Sequence, residues 1–255
     1  MIEKWGIPVR PITGKEPRTV YVYLPPAAAE DPNARFPVLY MFDGHNVFFD
    51  QDATYGKSWG MGEYLDYTDT PLIVVAVDCN HRPPHGRLSE YSPFSFRDEQ
   101  FGHVTGKGRK FMDWLVGTLK PIIDERYPTL PERESTWIAG SSMGGLMSLY
   151  AVTAYNDVFG RAAALSPSVW LVRGRMAPLI RKTAFAPGTV VYMDYGAREM
   201  GNHQGMLHCL MKTADALLEQ GVLLTSRIVP NGDHCEACWE EQIPIFMNVL
   251  FYNRE

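Results

Sequence analysis

The strongest constraint on the fold is the run from Thr136 to Tyr150, which reads TWIAGSSMGGLMSLY. An apolar stretch ends at Gly140, and a second one with helical spacing begins just after Ser142, so the run predicts a strand that turns sharply into a helix. Glycines lie two residues before and two residues after the serine, where a Cβ atom would collide in so tight a turn. The sequence therefore predicts that Ser142 is held out at the tip of the turn as a candidate nucleophile.

The same turn predicts part of an anion-binding site. The helix begins beside Ser142, so the backbone N–H of Met143 and the positive end of the helix face the position of a tetrahedral oxyanion. A second donor is expected after the apolar stretch 36–42, where Asp43-Gly44-His45 offers a glycine turn. The backbone N–H groups of Met143 and His45 are therefore the predicted oxyanion hole.

Apolar strand patterns alternate with helical patterns along most of the chain. The stretches 36–42 and 72–78 are continuously apolar, which is typical of strands buried on both faces of a parallel sheet. With 255 residues, 45% of them hydrophobic, the chain is long enough for a sizeable core. We predict one α/β domain over residues 1–255, with helices on both faces of a mostly parallel central sheet. The remaining predicted strands are an antiparallel one at 19–25 and three others at 162–167, 189–194 and 223–229. A helix is predicted over 111–123, with a bend or interruption at Pro121. Two more helices are predicted, one with Met206, Leu210, Ala214 and Leu218 on one face and a terminal one from Trp239 to about Leu250.

Charge and composition argue against several function classes. A formal net charge of -5 without a basic run predicts no nucleic-acid partner. No window approaches ~18 uninterrupted apolar residues and the start lacks a signal-peptide core, so we expect a cytoplasmic protein with no membrane partner. The four cysteines are too few for a disulfide scaffold at this size. The sequence carries no signal for the oligomeric state.

Residues that follow strands are the candidates for chemistry, because an open parallel sheet binds its ligand at the carboxyl ends of its strands. Ser142 needs a base within hydrogen-bond reach, and His234 follows the last predicted strand. Two carboxylates follow the preceding strand, Asp194 at its end and Glu199 shortly after. The order serine, acid, histidine is that of the α/β-hydrolases. Glu199 is preferred because Gly196 permits a turn back towards His234, and Asp194 stays open as the competitor.

Short motifs after about residue 36 match one family. They lie at 40–46, 87–94, 119–124, 140–144, 159–160, 165–170, 196–199 and 232–239. On these motifs the chain resembles the putative-esterase branch of the α/β-hydrolase fold, which includes enterochelin esterases, feruloyl and acetylxylan esterases, S-formylglutathione hydrolases and mycolyltransferases. The resemblance implies a triad of Ser142, Glu199 and His234, an oxyanion hole at His45 and Met143, and no cofactor.

The long segment 79–108 has no clear period and is rich in Pro, Gly, His, Arg and aromatic residues, so we interpret it as a functional loop. Arg87, Tyr91 and Phe94 in this segment, together with Trp170, are predicted to form the wall of a substrate pocket. Such a wall suits an ester of an aryl-acyl group or an acylated sugar, and therefore a small-molecule or oligosaccharide substrate. A siderophore trilactone is the alternative substrate, and deacylation by an alcohol would make the protein an acyltransferase.

Two further patterns have simpler interpretations. Cys235-x-x-Cys238 beside His234 suggests zinc or redox chemistry, but a second ligand pair is missing, so we expect ordinary thiols and no metal. Most other histidines are interpreted as surface residues, and His203 is close enough to Glu199 in sequence to border the site. A non-catalytic binding protein, or a thiol or zinc protein on the same scaffold, is the alternative of a different class.

Overall fold

The central element of the molecule is an eight-stranded sheet. The structure, a computed structural model, describes residues 1–199 and 205–252, so His203 lies outside the described residues. The strands are β1 (Ile2–Pro8), β2 (Pro17–Tyr23), β3 (Val38–Phe42), β4 (Ile73–Val77), β5 (Phe96–Asp98), β6 (Gly102–Val104), β7 (Thr136–Ser141), β8 (Arg161–Leu165), β9 (Val190–Gly196) and β10 (Leu223–Val229). The sheet order is β1-β2-β4-β3-β7-β8-β9-β10, and β5 and β6 form a separate hairpin.

All strand pairs of the sheet from β4 to β10 are parallel, and β2 is antiparallel to both of its neighbours. The mostly parallel α/β fold predicted from the sequence is thus confirmed, as is the antiparallel strand near residue 19. The long segment predicted to be an irregular loop instead contains a short helix and the β5–β6 hairpin.

Helices and turns cover the sheet. The α-helices are α1 (Arg10–Thr13), α2 (Ala27–Glu30), α3 (Met61–Thr68), α4 (Gly86–Glu90), α5 (Gly108–Trp114), α6 (Lys120–Arg126), α7 (Met143–Ala154), α8 (Met176–Lys182), α9 (Met206–Glu219), α10 (Glu236–Glu240) and α11 (Ile243–Phe251). Short 3₁₀ turns lie at Gly44–Asn46, Arg133–Ser135 and Val169–Val172. Among the described residues, no helix is long and apolar enough to cross a membrane.

The core lies on both faces of the sheet. Alternate residues of β3 point to opposite sides, so that Tyr40 and Phe42 join one apolar cluster and Leu39 and Met41 join the other. The first cluster includes α5 and α7, and the second includes α3 and α11. Every residue of β3 is buried, which explains why its sequence is continuously apolar.

Three local predictions about the helices need correction. The helix predicted over 111–123 contains a π-helical segment, Leu115–Leu119, which ends two residues before Pro121. Proline lacks an N–H and its ring crowds the carbonyl four residues earlier, so the regular α-helical hydrogen bonds are interrupted there. The buried face of α9 includes Leu210 and Leu217, whereas Leu218 is 58% exposed. The terminal helix is two helices, α10 and α11, and Pro244 lies in the first turn of the second.

Candidate active site

Ser142 lies at the bend between β7 and α7, as the sequence predicts. Its backbone has φ 57° and ψ -118°, a conformation that is strained for a residue with a side chain. A Cβ at Gly140 would lie 2.9 Å from the backbone carbon of Gly144, and one at Gly144 would lie 3.0 Å from the Cβ of Phe42. The two glycines therefore allow the turn to close against β3 and hold Ser142 at the carboxyl edge of the sheet.

Two residues predicted to provide backbone N–H donors, Met143 and His45, lie close to the ends of strands. Met143 is the first residue of α7, where N–H groups have no acceptor within the helix. His45 lies in the first turn of a 3₁₀ segment directly after β3. A Cβ at Gly44 would lie 2.7 Å from the carbonyl oxygen of Ala76, so only glycine lets this turn pack against the end of β4. His45 and Met143 therefore follow the neighbouring strands β3 and β7 at the same edge of the sheet.

His234 joins a buried carboxylate to the cavity that contains Ser142. Its Nδ1 lies 2.7 Å from Oε2 of Glu199, and 43% of its side chain is exposed. Ser142 and His234 line the same cavity. The Oγ of Ser142 contacts Ser168 Oγ at 3.4 Å and is not hydrogen-bonded to His234. In enzymes without bound substrate, the hydrogen bond between a catalytic serine and its histidine is often long or poorly aligned.

Glu199 is a buried carboxylate, and both of its oxygens have hydrogen-bond partners. It is 3% exposed, and its Oε1 accepts hydrogen bonds from Ser166 Oγ at 2.6 Å and from the Gly196 N–H at 2.8 Å. Burial alone would raise its pKa, but the hydrogen bonds from His234, Ser166 and Gly196 and the charge of the imidazole lower the pKa below its usual value. The carboxylate therefore stays ionised beside His234.

Asp194, the competing acid, lies apart from His234. It is 1% exposed and accepts hydrogen bonds from Tyr192 Oη at 2.6 Å and from the Ser166 N–H at 3.2 Å. Burial raises the pKa of Asp194 to about 6, against the effect of these hydrogen bonds. Of the two carboxylates left open by the sequence, the fold brings Glu199 against the imidazole.

A close contact between two glycines brings Glu199 and His234 together. A Cβ at Gly196 would lie 2.3 Å from the carbonyl oxygen of Gly232, so a larger residue would push the two loops apart. The N–H of Arg198 donates to the same carbonyl at 3.1 Å. Close approach of the loops, rather than a left-handed turn, is therefore the reason for Gly196.

The predicted pocket wall is only partly correct. Trp170 lines a cavity of about 320 Å³ that also contains Ser142 and His234. Arg87 lines this cavity and a neighbouring one of about 710 Å³, but its Nε and Nη2 donate to the two carboxylate oxygens of Asp43 at 2.6 and 2.7 Å. The bidentate contact of Arg87 with Asp43 therefore fixes the loop that follows β3.

Tyr91 and Phe94 lie elsewhere. Tyr91 has no exposed surface, because its ring packs between Phe42 and Phe111 at 5.0 and 5.6 Å, and its hydroxyl accepts the N–H of Asp43 at 3.2 Å. The ring of Phe94 packs on Tyr150 and Arg175, away from both cavities. Neither ring is part of the cavity wall, so the prediction is corrected for both residues.

Three residues at the site were not predicted from the residue patterns. The hydroxyl of Ser166 donates to Glu199 and accepts the indole N–H of Trp239 at 3.1 Å. The Trp239 ring also meets the His234 ring edge-on at 5.0 Å. Ser168 is the third, through its contact with Ser142. The sequence does place Ser166 and Ser168 directly after β8, at the same sheet edge as Ser142, and this position could have identified them.

Cys235 and Cys238, beside His234, are free thiols.

Comparison with known proteins places these features in a family. The profile of the family described as "Putative esterase" matches residues 13–244. The apo-salmochelin esterase of Escherichia coli is 26% identical over 221 residues, covering 80% of this chain and 66% of the relative. The structure of the enterobactin esterase of Shigella flexneri with enterobactin has a TM-score of 0.74 and 18% identity over 98% of this chain and 59% of that chain. A ferulic acid esterase has a TM-score of 0.68 and 13% identity over 98% and 97%.

Proposed function

The chain belongs to the putative-esterase family, and from this premise we propose that it is a serine carboxylic-ester hydrolase. Ser142 attacks the ester carbonyl while His234 takes the hydroxyl proton and returns it to the leaving alcohol. Glu199 orients His234 and stabilises its charged form. The backbone N–H groups of Met143 and His45 stabilise the oxyanion by about 3 kcal/mol each, in line with mutational losses at such sites. A water then releases the acyl group from Ser142.

One observation carries the proposal. Nδ1 of His234 is held by Glu199 at 2.7 Å, and the imidazole is exposed to the cavity that also contains Ser142. An ionised carboxylate on Nδ1 fixes the tautomer whose Nε2 can accept a proton. A histidine with only a structural role would have no need for this combination beside a strained serine.

For the substrate, we favour an ester of an aryl-acyl group or an acylated sugar. The smaller cavity, of about 320 Å³, places Phe101, Trp170, Leu171 and Met206 around Ser142. Apolar and aromatic walls suit a flat aromatic group, with the few polar groups left for the reacting ester. The ferulic acid esterase among the structural neighbours is compatible with this choice.

A siderophore lactone is the second candidate substrate. The larger cavity, of about 710 Å³, joins the smaller one at Ser142 and His234, and His81, Arg82 and His85 lie on its wall. A space of this size suits a large, polyphenolic ester better than an acetyl group. The E. coli relative named for apo-salmochelin supports this candidate.

Labelling with a fluorophosphonate probe tests the mechanism. The reagent forms a covalent bond only with an activated serine, so we expect one label, located at Ser142 by peptide mass analysis. The Ser142→Ala variant is expected to remain unlabelled, and Ser168→Ala is the control that keeps the reactive serine. If wild-type protein stays unlabelled, a non-catalytic binding protein replaces the proposal.

A substrate panel tests the specificity. We would compare kcat/KM for feruloyl sugars, acetyl sugars and a catecholate trilactone, because the ratios report differences in transition-state binding. The favoured class predicts at least about 10-fold preference for the feruloyl or acetyl sugar over the trilactone. The reverse preference would select the siderophore candidate. Transfer of the acyl group to an added sugar alcohol in place of water would identify an acyltransferase.

A further inference from the structure

A second cluster of reactive side chains borders the cavity that His234 lines. Loops after the neighbouring parallel strands β3 and β4 bring together His45, Asp78, Cys79 and His81. One donor atom from each of the four residues lies within 4.8 Å of all the others. The proposed hydrolysis uses none of these side chains, since His45 contributes only its backbone N–H.

The contacts within this cluster converge on one carboxylate oxygen. A single oxygen, Oδ1 of Asp78, lies 2.6 Å from Nδ1 of His45, 2.8 Å from Nε2 of His81 and 2.7 Å from the N–H of Cys79. Two imidazoles and an amide thus converge on one carboxylate oxygen. The contacts therefore place nitrogen atoms of two imidazoles beside one carboxylate oxygen, which is a set of atoms that can bind a metal cation.

His45 provides an independent indication of a ligand. The residue is 9% exposed, and its Nδ1 has no hydrogen-bond partner with acceptable alignment despite the short distance to Asp78. Its other nitrogen, Nε2, is 3.0 Å from Oγ1 of Thr54. If Nε2 donates to Thr54, the lone pair of Nδ1 is aimed into the cluster, as in a metal-binding histidine.

We propose that His45 Nδ1, Asp78 Oδ1, Cys79 Sγ and His81 Nε2 form a binding site for a zinc ion. Two imidazoles, a carboxylate and a thiolate are all zinc ligands, and four of them complete a tetrahedral shell. A thiolate and two imidazoles disfavour magnesium and calcium, which take oxygen ligands. The sequence predicted no metal, on the basis of Cys235 and Cys238, whereas the proposed thiolate ligand is Cys79.

The geometry needs only a small adjustment. Tetrahedral zinc separates neighbouring ligand atoms by about 3.3 to 3.7 Å, given its usual bond lengths. The Cys79 sulfur lies 3.8 and 3.9 Å from the two ring nitrogens of His81. The two imidazole–carboxylate contacts must lengthen by roughly 0.7 Å to reach the same range. For the contact with His81 the exposed side chain can move, because 60% of it is exposed, whereas the contact between His45 and Asp78 requires a shift of the two loops.

Binding also has a proton balance. Burial raises the pKa of the Cys79 thiol well above its usual value, so without a metal the sulfur is protonated. Zinc binding replaces the thiol proton, which passes to the solvent, together with any extra proton on the imidazoles. No electron transfer and no co-reactant is involved.

Direct metal binding tests the proposal without any measurement of turnover. Protein stripped with a chelator is titrated with Zn²⁺ and, separately, with Mg²⁺, and bound metal is counted after gel filtration. We expect one tightly bound zinc per chain and no bound magnesium. His81→Ala is the main variant, because the exposed side chain can be removed without disturbing the core. It is expected to weaken zinc binding by at least about 10- to 100-fold.

Two controls separate this site from other sources of zinc affinity. His85→Ala removes a histidine of the same loop whose ring packs on Phe101 outside the cluster, and should bind zinc normally. The double variant Cys235→Ser and Cys238→Ser should also bind normally. Co²⁺ in place of zinc should give the strong near-ultraviolet absorption of a thiolate–cobalt bond, which Cys79→Ser removes. Unchanged zinc binding in His81→Ala, or loss only in the Cys235 and Cys238 variant, would overturn the proposal.

Discussion

Two histidine–carboxylate pairs each contribute an imidazole to the lining of the same cavity, and they differ in what surrounds them. His234 Nδ1 lies 2.7 Å from Glu199, and His45 Nδ1 lies 2.6 Å from Asp78. By distance alone the pairs are equivalent. The side chain of His234 is 43% exposed, whereas that of His45 is 11% exposed.

The second nitrogen of each ring decides what the pair can do. Nε2 of His45 is occupied by Thr54 at 3.0 Å, and the carboxylate of Asp78 also contacts His81. Among the described residues no hydrogen bond to Nε2 of His234 is present, and the ring lines the cavity. A ring with one nitrogen held and the other open to the cavity suits proton transfer. A buried ring whose Nε2 is held by a hydroxyl and whose Nδ1 lies against a carboxylate suits a fixed structural or metal-binding role. The surroundings, and not the pair itself, therefore distinguish the two sites.

Removing each imidazole gives the largest expected difference between the pairs. His234→Ala should lower kcat for a chromogenic ester by about 10⁴-fold or more, because Ser142 then has no base. His45→Gln keeps the backbone N–H that faces the oxyanion, so we expect a loss of at most about 10-fold. Steady-state kinetics on both variants would measure the contrast. Equal losses would mean that His45 takes part in proton transfer.

Neutralising each carboxylate gives the next largest contrast. Glu199→Gln should lower kcat by about 10²- to 10⁴-fold with little change in KM, because the imidazole loses its charge partner and its tautomer. Asp78→Asn should cost at most about 10-fold, since it acts only on the loop that contains His45. Circular dichroism would verify that both variants are folded. If turnover were lost in Asp78→Asn and kept in Glu199→Gln, Asp78 and not Glu199 would be the catalytic acid.

Asp194 provides a smaller and sharper test, because it is a buried carboxylate that contacts no imidazole among the described residues. Its pKa in the folded protein is about 6, above the usual value of 3.8, so the folded state binds the proton more tightly than the unfolded chain does. The stabilisation is complete below about pH 4 and is lost as the pH rises through 6. The Asp194→Asn variant has no carboxylate at this position and does not undergo this pH-dependent loss. The free energy of unfolding of the variant relative to that of wild type should therefore increase by up to about 3 kcal/mol between pH 4 and pH 7.

Urea unfolding at several pH values measures the effect of Asp194→Asn, with Glu199→Gln as the matched control. The pKa of Glu199 is lowered, so its contribution is present above the unfolded pKa and is lost as the pH falls. The two variants should therefore show pH trends of opposite sign. Turnover of Asp194→Asn should stay within about 3-fold of wild type if the residue has no catalytic role. Parallel trends would contradict the assignment of charge states to the two carboxylates.

The features that the sequence predicted well depend on near neighbours in the chain. The bend at Ser142 follows from glycines within two residues of it, and the buried strands follow from continuous apolar stretches. The aromatic residues were harder to place. Tyr91 and Trp170 are both large rings near the ends of elements, yet the first is core and the second lines a cavity. The difference lies in distant packing partners such as Phe111, which no local pattern identifies.

The sequence by itself determined the mostly parallel α/β fold and the strand-to-helix bend that presents Ser142, because backbone sterics and hydrophobic periodicity act over a few residues. Only the tertiary structure decided that Glu199, and not Asp194, meets a histidine 35 residues later in the chain. That contact requires β9 and β10 to pair in register and Gly196 to touch Gly232. The convergence of His45 with Asp78, Cys79 and His81 has the same origin, because it depends on the adjacency of two strands and not on any spacing along the chain.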